Sequence, residues 1–373
     1  MLYLYREIHH IISHKLLMLL LGTQMKVLKT IKEGGFQPLL DLSISMKEHE
    51  DGRVILNYSQ LNSPKENEVV RECRGLTVTK GGELVARGFS RFFNSNEALS
   101  ITKHFRWDMP VKAWDKIDGS YIKIFYYNGW KIQTRNSFAA DTINGTEFTW
   151  EELVKQVLPS YFFECADKTF SYIFELTSPY NIVVQRHTVV KLWMLAVFNG
   201  VQELHDEIVD EIARELGFDR PNAHIFNGIM DAQAYIADQA RLAETFEGVV
   251  LKDIDGMRLK VKSDKYIALH RMFSNGNILL DKNIIPLILD GELDEAAAYF
   301  PMLNERAAIL KEKINKLMGE VDNYWFVYHD IDSKKKFALA IKDCKWKPLL
   351  FLAYEKGGKP RDYLTADFVE KNL

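Results

Sequence analysis

The segment Lys116-Ile117-Asp118-Gly119-Ser120 sets a lysine ahead of an acid and a glycine, just before an apolar strand pattern. A lysine amine attacks phosphorus once it is unprotonated, and burial or neighbouring cations depress its pKa enough to allow this. Gly119 permits a tight turn into the strand, which would hold the side chain towards a bound nucleotide. Taken alone, a surface lysine at a strand start is the simpler reading. A second group runs Glu247-Gly248-Val249-Val250-Leu251-Lys252 and then Leu259-Lys260-Val261-Lys262. Strand alternation puts Lys260 and Lys262 on one face. Two cations facing one way are either solvated or meet an anion, and a triphosphate would satisfy both. Glu175, between Phe174 and Leu176, sits at an exposed edge or binds a ribose hydroxyl or Mg²⁺. Glu72-Cys73-Arg74-Gly75 and Arg91-Phe92-Phe93-Asn94 place arginines beside glycine or aromatics, where a rigid fork of donors suits phosphate or a structural ion pair.

These groups need a scaffold that brings them together. Residues 121–127 and 130–134 flank Asn128-Gly129, a strong hairpin signal. Residues 172–176, 182–184 and 192–198 read as further strands. Residues 249–252 and 258–262 form a second hairpin through Asp255-Gly256. Two amphipathic helices interrupt, 203–216, with Leu204, Ile208, Ile212 and Leu216 on one face, and 231–245. After residue 273 the pattern turns helical: 278–289, 292–299, 304–318, 335–340 and 364–371, with Ser274-Asn275-Gly276 as the boundary. The expected fold class is α+β, rich in antiparallel sheet, followed by a smaller all-helical domain.

With 373 residues the chain can build one large or two medium domains, and its composition is that of an ordinary globular protein. A formal net charge of −3 argues against a generally basic nucleic-acid binder while leaving room for a local basic groove. Cys73, Cys165 and Cys344 are few, odd in number and scattered, which fits a reducing cytoplasm and gives no metal-ligand spacing. No run reaches the eighteen or so apolar residues of a membrane helix. The stretch from Leu16 to Leu21 loosely imitates a signal peptide, but its apolar core is short and no small-x-small site follows before Lys26. A helix packed on the domain is expected there, or an upstream extension of residues 1–24 with Met25 as the natural start.

In this order the groups resemble the nucleotidyltransferase superfamily of polynucleotide ligases and RNA capping enzymes, where the lysine of K-x-D-G becomes joined to a nucleoside monophosphate. The resemblance runs through residues 116–120, 134–138, 172–176, 247–250 and 259–262. E-C-R-G, the following basic-F-F-N, K-x-D-G-S and K-V-K-S-D-K-Y-x-x-L-H are similar to the RNA ligase 1 group of T-even phages, and the match begins near Met25. It implies an adenylyltransferase domain over residues 25–273 and a helical, RNA-binding domain over 274–373. Lys116 resembles the adenylated lysine. Glu175 and Glu247 resemble the carboxylates that organise metal and ribose, and Lys260 and Lys262 the α-phosphate contacts, with Lys260 leading in the first step. Arg74 and Arg91 resemble triphosphate contacts, although lysine is usual at the second position. Arg135 and Phe138 match the third motif loosely, with Asn136 where glycine is common; Tyr58 lines the adenine pocket or is a core tyrosine.

The resemblance implies ATP and Mg²⁺ as cofactors, with Mn²⁺ as the alternative, and single-stranded or nicked RNA ends as partners. Repair of broken tRNA, an end-healing kinase-phosphatase partner and a phage-encoded protein acting in the host cytoplasm are expectations by analogy. A metal and Lys260 would lower the pKa of Lys116. Lys334-Lys335-Lys336-Phe337, Lys342, Lys345, Trp346 and Lys347 would grip RNA and stack a base, or simply form solvated helices. A DNA ligase or a capping guanylyltransferase would share the lysine chemistry, but both place a small β-barrel where this tail reads helical. An inactive nucleic-acid-binding relative would have lost Lys116 or Glu247, and both are present.

Overall fold

A computed structural model describes residues 25–373 except 60–61, 96, 140, 144–145, 181–186, 244, 264–265, 267–278 and 300. The N-terminal extension, the expected strand 182–184 and the boundary at 274–276 lie outside the described residues.

Three sheets carry the first part of the chain. β1 (Ile44–Glu48), β2 (Arg53–Tyr58), β3 (Arg74–Thr79) and β4 (Leu84–Ala86) form an antiparallel sheet in that order, backed by helix α1 (Lys26–Gly34). Val27 and Ile31 of α1 meet Val54, Leu56, Leu76 and Val78 in one apolar cluster. The second sheet has the order β11-β10-β9-β7-β8, with β7 (Ser120–Tyr126), β8 (Trp130–Thr134), β9 (Phe170–Thr177), β10 (Lys191–Asn199) and β11 (Gln202–Glu203). Helices α3 (Trp150–Val157) and α4 (Asp206–Leu216) pack on it, α3 held by a Thr149–Glu152 capping box. The third sheet runs β12-β6-β13-β14-β5, with β5 (Phe93–Asn94), β6 (Val111–Asp115), β12 (Ala223–Phe226), β13 (Gly248–Lys252) and β14 (Arg258–Lys262), covered by α5 (Ile229–Leu242). Only the β5–β14 pairing is parallel among the described strands. Between β2 and β3 lies the short helix α2 (Glu68–Glu72), capped by the Asn67 side chain.

Both expected hairpins form where the turn residues placed them. The stripe on α4 is displaced from expectation. It centres on Val209, Ala213 and Leu216, with Ile208 only partly buried, because Leu204 precedes the helix rather than belonging to it. From residue 281 the described elements are helical: α6 (Asp281–Asp290), α7 (Leu293–Tyr299), α8 (Leu303–Tyr328), α9 (Lys334–Ala340), α10 (Lys347–Lys356) and α11 (Ala366–Asn372). Their buried faces make a cluster of their own, built on Ile284, Leu310, Ile314, Phe337 and Leu350. α8 runs ten residues past its expected end, because Leu317, Met318 and Val321 continue the buried face. α10 was not expected at all. Lys347 and Pro348 open it, Pro being acceptable in a first turn, and Leu349, Leu350 and Ala353 face inwards. No described helix is long and apolar enough to cross a membrane.

Candidate active site

β6 ends at Asp115, opposite Val249 of β13, and the pairing extends one residue further. There the Lys116 N–H donates to the Gly248 carbonyl at 2.8 Å. This register delivers the Lys116 side chain to Glu247, with Nζ 2.8 Å from each carboxylate oxygen. Lys262, at the end of β14, reaches the same carboxylate at 3.1 Å. Glu247 is only 3% exposed, whereas Lys116 keeps 24% of its side-chain surface open. Alternation along β14 buries Leu259 and Val261 and turns Arg258, Lys260 and Lys262 the other way. β7 and β9 then bring in Glu175, paired with Tyr121. A Cβ on Gly119 would stand 2.6 Å from the Leu176 carbonyl oxygen and 3.0 Å from Glu175 Cγ, so the turn lies against β9 only because residue 119 is glycine.

These side chains line one cavity of about 600 Å³, together with Gly119, Arg74, Arg91, Arg135 and Tyr58. Phe138 is the exception among the expected site residues. The Thr134 hydroxyl accepts the Asn136 and Ser137 N–H groups, closing a tight turn. Phe138 then bridges back to Gln133 and sets its ring against Arg53 (4.9 Å) and His49 (4.7 Å), away from the cavity. Tyr58 faces the arginines, with the guanidinium groups of Arg91 and Arg135 each 4.8 Å from its ring centre. Arg91 is already engaged, donating to Asp294 at 2.7 Å and more weakly to Glu97 at 3.4 Å. Arg74 lies over the Tyr121 ring at 5.2 Å. Among the described residues, Arg74 Nη1 and Arg135 Nε are buried nitrogens without a hydrogen-bond partner.

The protein's own groups act on Lys116 in the direction opposite to the lowering expected from a metal and Lys260. Burial pulls the Lys116 ammonium down, but the carboxylates of Glu247, Glu175 and Asp118 outweigh it and hold the group above the ordinary lysine range. Lys116 is therefore held charged by its anionic partners. Lys260 behaves oppositely. Burial, reinforced by Lys262, pushes it down to about 7. Glu175 rises to about 7, chiefly through burial, with the Glu247 charge adding to the rise. Burial pushes Glu247 up, yet Lys116 and Lys262 outweigh it and keep the carboxyl below its ordinary value.

No cluster of three His, Cys, Asp or Glu among the described residues is arranged to hold a metal ion by itself. The donor chemistry nevertheless fits a divalent cation that borrows oxygens from a substrate phosphate, which one or two carboxylates suffice to hold. Glu175 has the most to gain, being a buried acid whose charge is opposed by its surroundings.

Sequence reasoning missed a third wall. Asp290, Glu292 and Asp294, at the junction of α6 and α7, line the same cavity. Burial raises Glu292, but Lys262, Lys260, Lys116 and Arg135 together hold it below the ordinary range. The available signal was three acids at alternate positions around Gly291, directly between two helices. The basic–aromatic tail also resolves. Phe337 is fully buried against Tyr354 (centroids 4.1 Å apart) and Trp346 is 4% exposed, so neither is offered to a base. Lys335, Lys336, Lys342 and Lys345 stand outside.

A family model described as RNA ligase matches residues 72–266, just over half of the chain. The chain belongs to the RNA ligase family, in its T4 RNA ligase 1 group. A protein of Autographa californica nuclear polyhedrosis virus, described as a bifunctional polynucleotide kinase/RNA ligase, is 28% identical over 88% of this chain. The chain spans 49% of that relative's length. An RNA ligase of Rhodothermus phage RM378 is 24% identical over 81% of this chain and 86% of its own length. Among solved structures, an archaeal ATP-dependent RNA ligase shares the fold with a TM-score of 0.50 and 17% identity, covering 89% of this chain and 99% of that one.

Proposed function

We propose that this RNA ligase family member joins a 5′-phosphate to a 3′-hydroxyl RNA end with ATP, through AMP bound to Lys116. The observation that carries the reading is the approach of Lys116 (2.8 Å) and Lys262 (3.1 Å) to the one Glu247 carboxylate, in a cavity also lined by Lys260, Arg74 and Arg135. Residues 25–273 serve as the adenylyltransferase domain and residues 274–373 as a helical domain that contacts RNA. The apolar part of the cavity suits a base: Trp114 and Val250, paired across β6 and β13, with Leu195 and Pro221. The unpartnered nitrogens of Arg74 and Arg135 suit phosphate oxygens.

In the first step the neutral Lys116 amine attacks the α-phosphorus and the bond to pyrophosphate breaks, leaving a phosphoramidate to AMP. The 5′-phosphate of an RNA end then displaces Lys116, forming a pyrophosphate-linked RNA adenylate. A 3′-hydroxyl finally attacks the RNA phosphorus, its proton is lost and AMP departs. All three are phosphoryl transfers, so alignment and charge neutralisation dominate. Lys260 and Lys262 approach the α-phosphate from β14, and Lys260 gains its proton as the anion arrives. Glu175 and Glu247 would hold Mg²⁺ or Mn²⁺, which would neutralise phosphate charge and draw off the carboxylates that keep the proton on Lys116. The kinase joined to a ligase in the viral relative supports an end-healing partner supplied by another domain or chain. Broken tRNA is the proposed natural substrate.

The test is incubation with α-labelled ATP or GTP. ATP should label the wild type covalently and leave Lys116→Ala unlabelled. Labelling by GTP alone, or persistent labelling of Lys116→Ala, would overturn the reading.

A further inference from the structure

Lys123 lies on β7, seven residues after the nucleophile, in the middle of the hairpin strand. Its side chain is fully buried. The ammonium donates to the Gly75 carbonyl at 2.8 Å, the Thr77 hydroxyl at 2.8 Å and the Ala86 carbonyl at 3.1 Å. No carboxylate is among these partners, and three acceptors match the three N–H bonds of an ammonium. Burial, with Arg53 nearby, drives the group well below the ordinary lysine range. A buried amine without a counter-charge is an expensive way to join two sheets, and an apolar side chain would pack more cheaply.

What the ammonium holds is Gly75, which follows Arg74 and lies against Arg135, two of the four arginines that line the cavity. Gly75 N–H donates to Asn57 Oδ1 at 2.8 Å, and Asn57 Nδ2 donates to the Arg135 carbonyl at 3.0 Å. Gln133 Nε2 adds a second bond to the Gly75 carbonyl at 3.2 Å. Gly75 has φ +69°, and a Cβ there would stand 2.8 Å from the Arg135 carbonyl oxygen. The peptide that follows Arg74 is thus pressed against the backbone of Arg135 and fixed from both ends.

We propose that Lys123 is a positioning residue for nucleotide binding: by holding the Gly75 carbonyl it sets Arg74 and Arg135 side by side at the phosphate end of the cavity. The proposal rests on the ATP-dependent reading of the site. It concerns only interactions made by the triphosphate, so it separates the first step from the last. Sealing of RNA that already carries a 5′-adenylate needs no triphosphate.

The experiment compares wild type, Lys123→Met and Gln133→Leu for lysyl-AMP formation at varied ATP and for sealing of pre-adenylated RNA. Loss of the three bonds should raise KM for ATP about tenfold with kcat within about threefold, the size expected when a buried hydrogen-bonding group is removed. Sealing of pre-adenylated RNA should stay within about twofold. Gln133→Leu, which removes one of the two bonds to the Gly75 carbonyl, should move KM in the same direction by less. It also keeps the test decisive if Lys123→Met fails to fold. A parallel fall in both reactions, or an unchanged KM in a folded variant, would reduce Lys123 to a fold residue and overturn the proposal. Failure of the wild type to label with ATP would instead sink the functional reading beneath it.

Discussion

The cavity and the helical tail treat charge in opposite ways. In the cavity, Lys116, Lys260, Lys262, Glu175 and Glu247 are brought together beneath the surface, and several are driven from their ordinary protonation range. In the tail, an equally basic string is sorted: lysines stay outside while Phe337 and Trp346 go into the core. Buried charges cost folding energy unless they are paired, so the cavity accepts a cost that the tail avoids. On the proposed reading, that difference separates a surface suited to chemistry from one that needs only to fold.

The largest test of this contrast is Glu247→Ala. Removing the carboxylate leaves two lysines buried without their partner, which should cost about 3–5 kcal/mol in stability. Lysyl-AMP formation should fall by about 100-fold or more. Denaturation midpoints and label incorporation read the two effects. Retained activity would show that Glu247 merely neutralises its neighbours.

In the tail the matching substitutions should split by position. Phe337→Ala empties a fully buried ring site and should cost about 3–5 kcal/mol. Lys335→Glu with Lys336→Glu should shift stability by about 0.5 kcal/mol or less. If these lysines contact RNA, the same pair of changes should flatten the salt dependence of RNA binding by about one or two in logarithmic slope. An unchanged slope would remove them from the RNA surface.

The subtlest prediction concerns protons. Lys260, at about 7, lies below its unfolded value, so the folded protein binds fewer protons than the unfolded chain between about pH 7 and the ordinary lysine range. Its burial therefore opposes folding fully below pH 7, and that penalty fades as pH rises. ATP should draw a proton onto Lys260, so affinity should weaken above pH 7, by at most about tenfold per pH unit. Calorimetry at pH 8 in buffers of different ionisation enthalpy should detect the uptake in wild type and lose it in Lys260→Arg. Glu175 contributes with the opposite sign when a cation displaces its proton, which the same variant leaves in place.

Much of the site was legible because its spacing is local. Strand alternation is enough to face Lys260 and Lys262 together, and the β13–β14 hairpin brings Glu247 to Lys262, whereas the β6–β13 register that carries Lys116 to Glu247 is a long-range pairing. Other parts depend on distant packing. The run of acids Asp290, Glu292 and Asp294 is visible in the sequence, but it reaches the cavity only because α6 and α7 pack there. Phe138 leaves the site through a turn set by one threonine hydroxyl. Lys123 was hidden for a further reason. β7 is covered on both faces, so Ile122, Lys123, Ile124 and Phe125 are all buried and the alternation that marks an exposed lysine fails. The first sheet's early strand β1 and helix α1 went unread because their apolar stripes are short.

The clasp between Lys116 and Glu247 also bears on what the protein does while idle. An amine kept as an ammonium is a poor target for stray electrophiles such as cyanate or activated esters, although its cavity is open enough to admit them. In the proposed reaction, Lys116 would become reactive only once a nucleotide and its cation had loosened the clasp. On that proposal, the contact that delays the reaction is also a safety catch for the Lys116 amine.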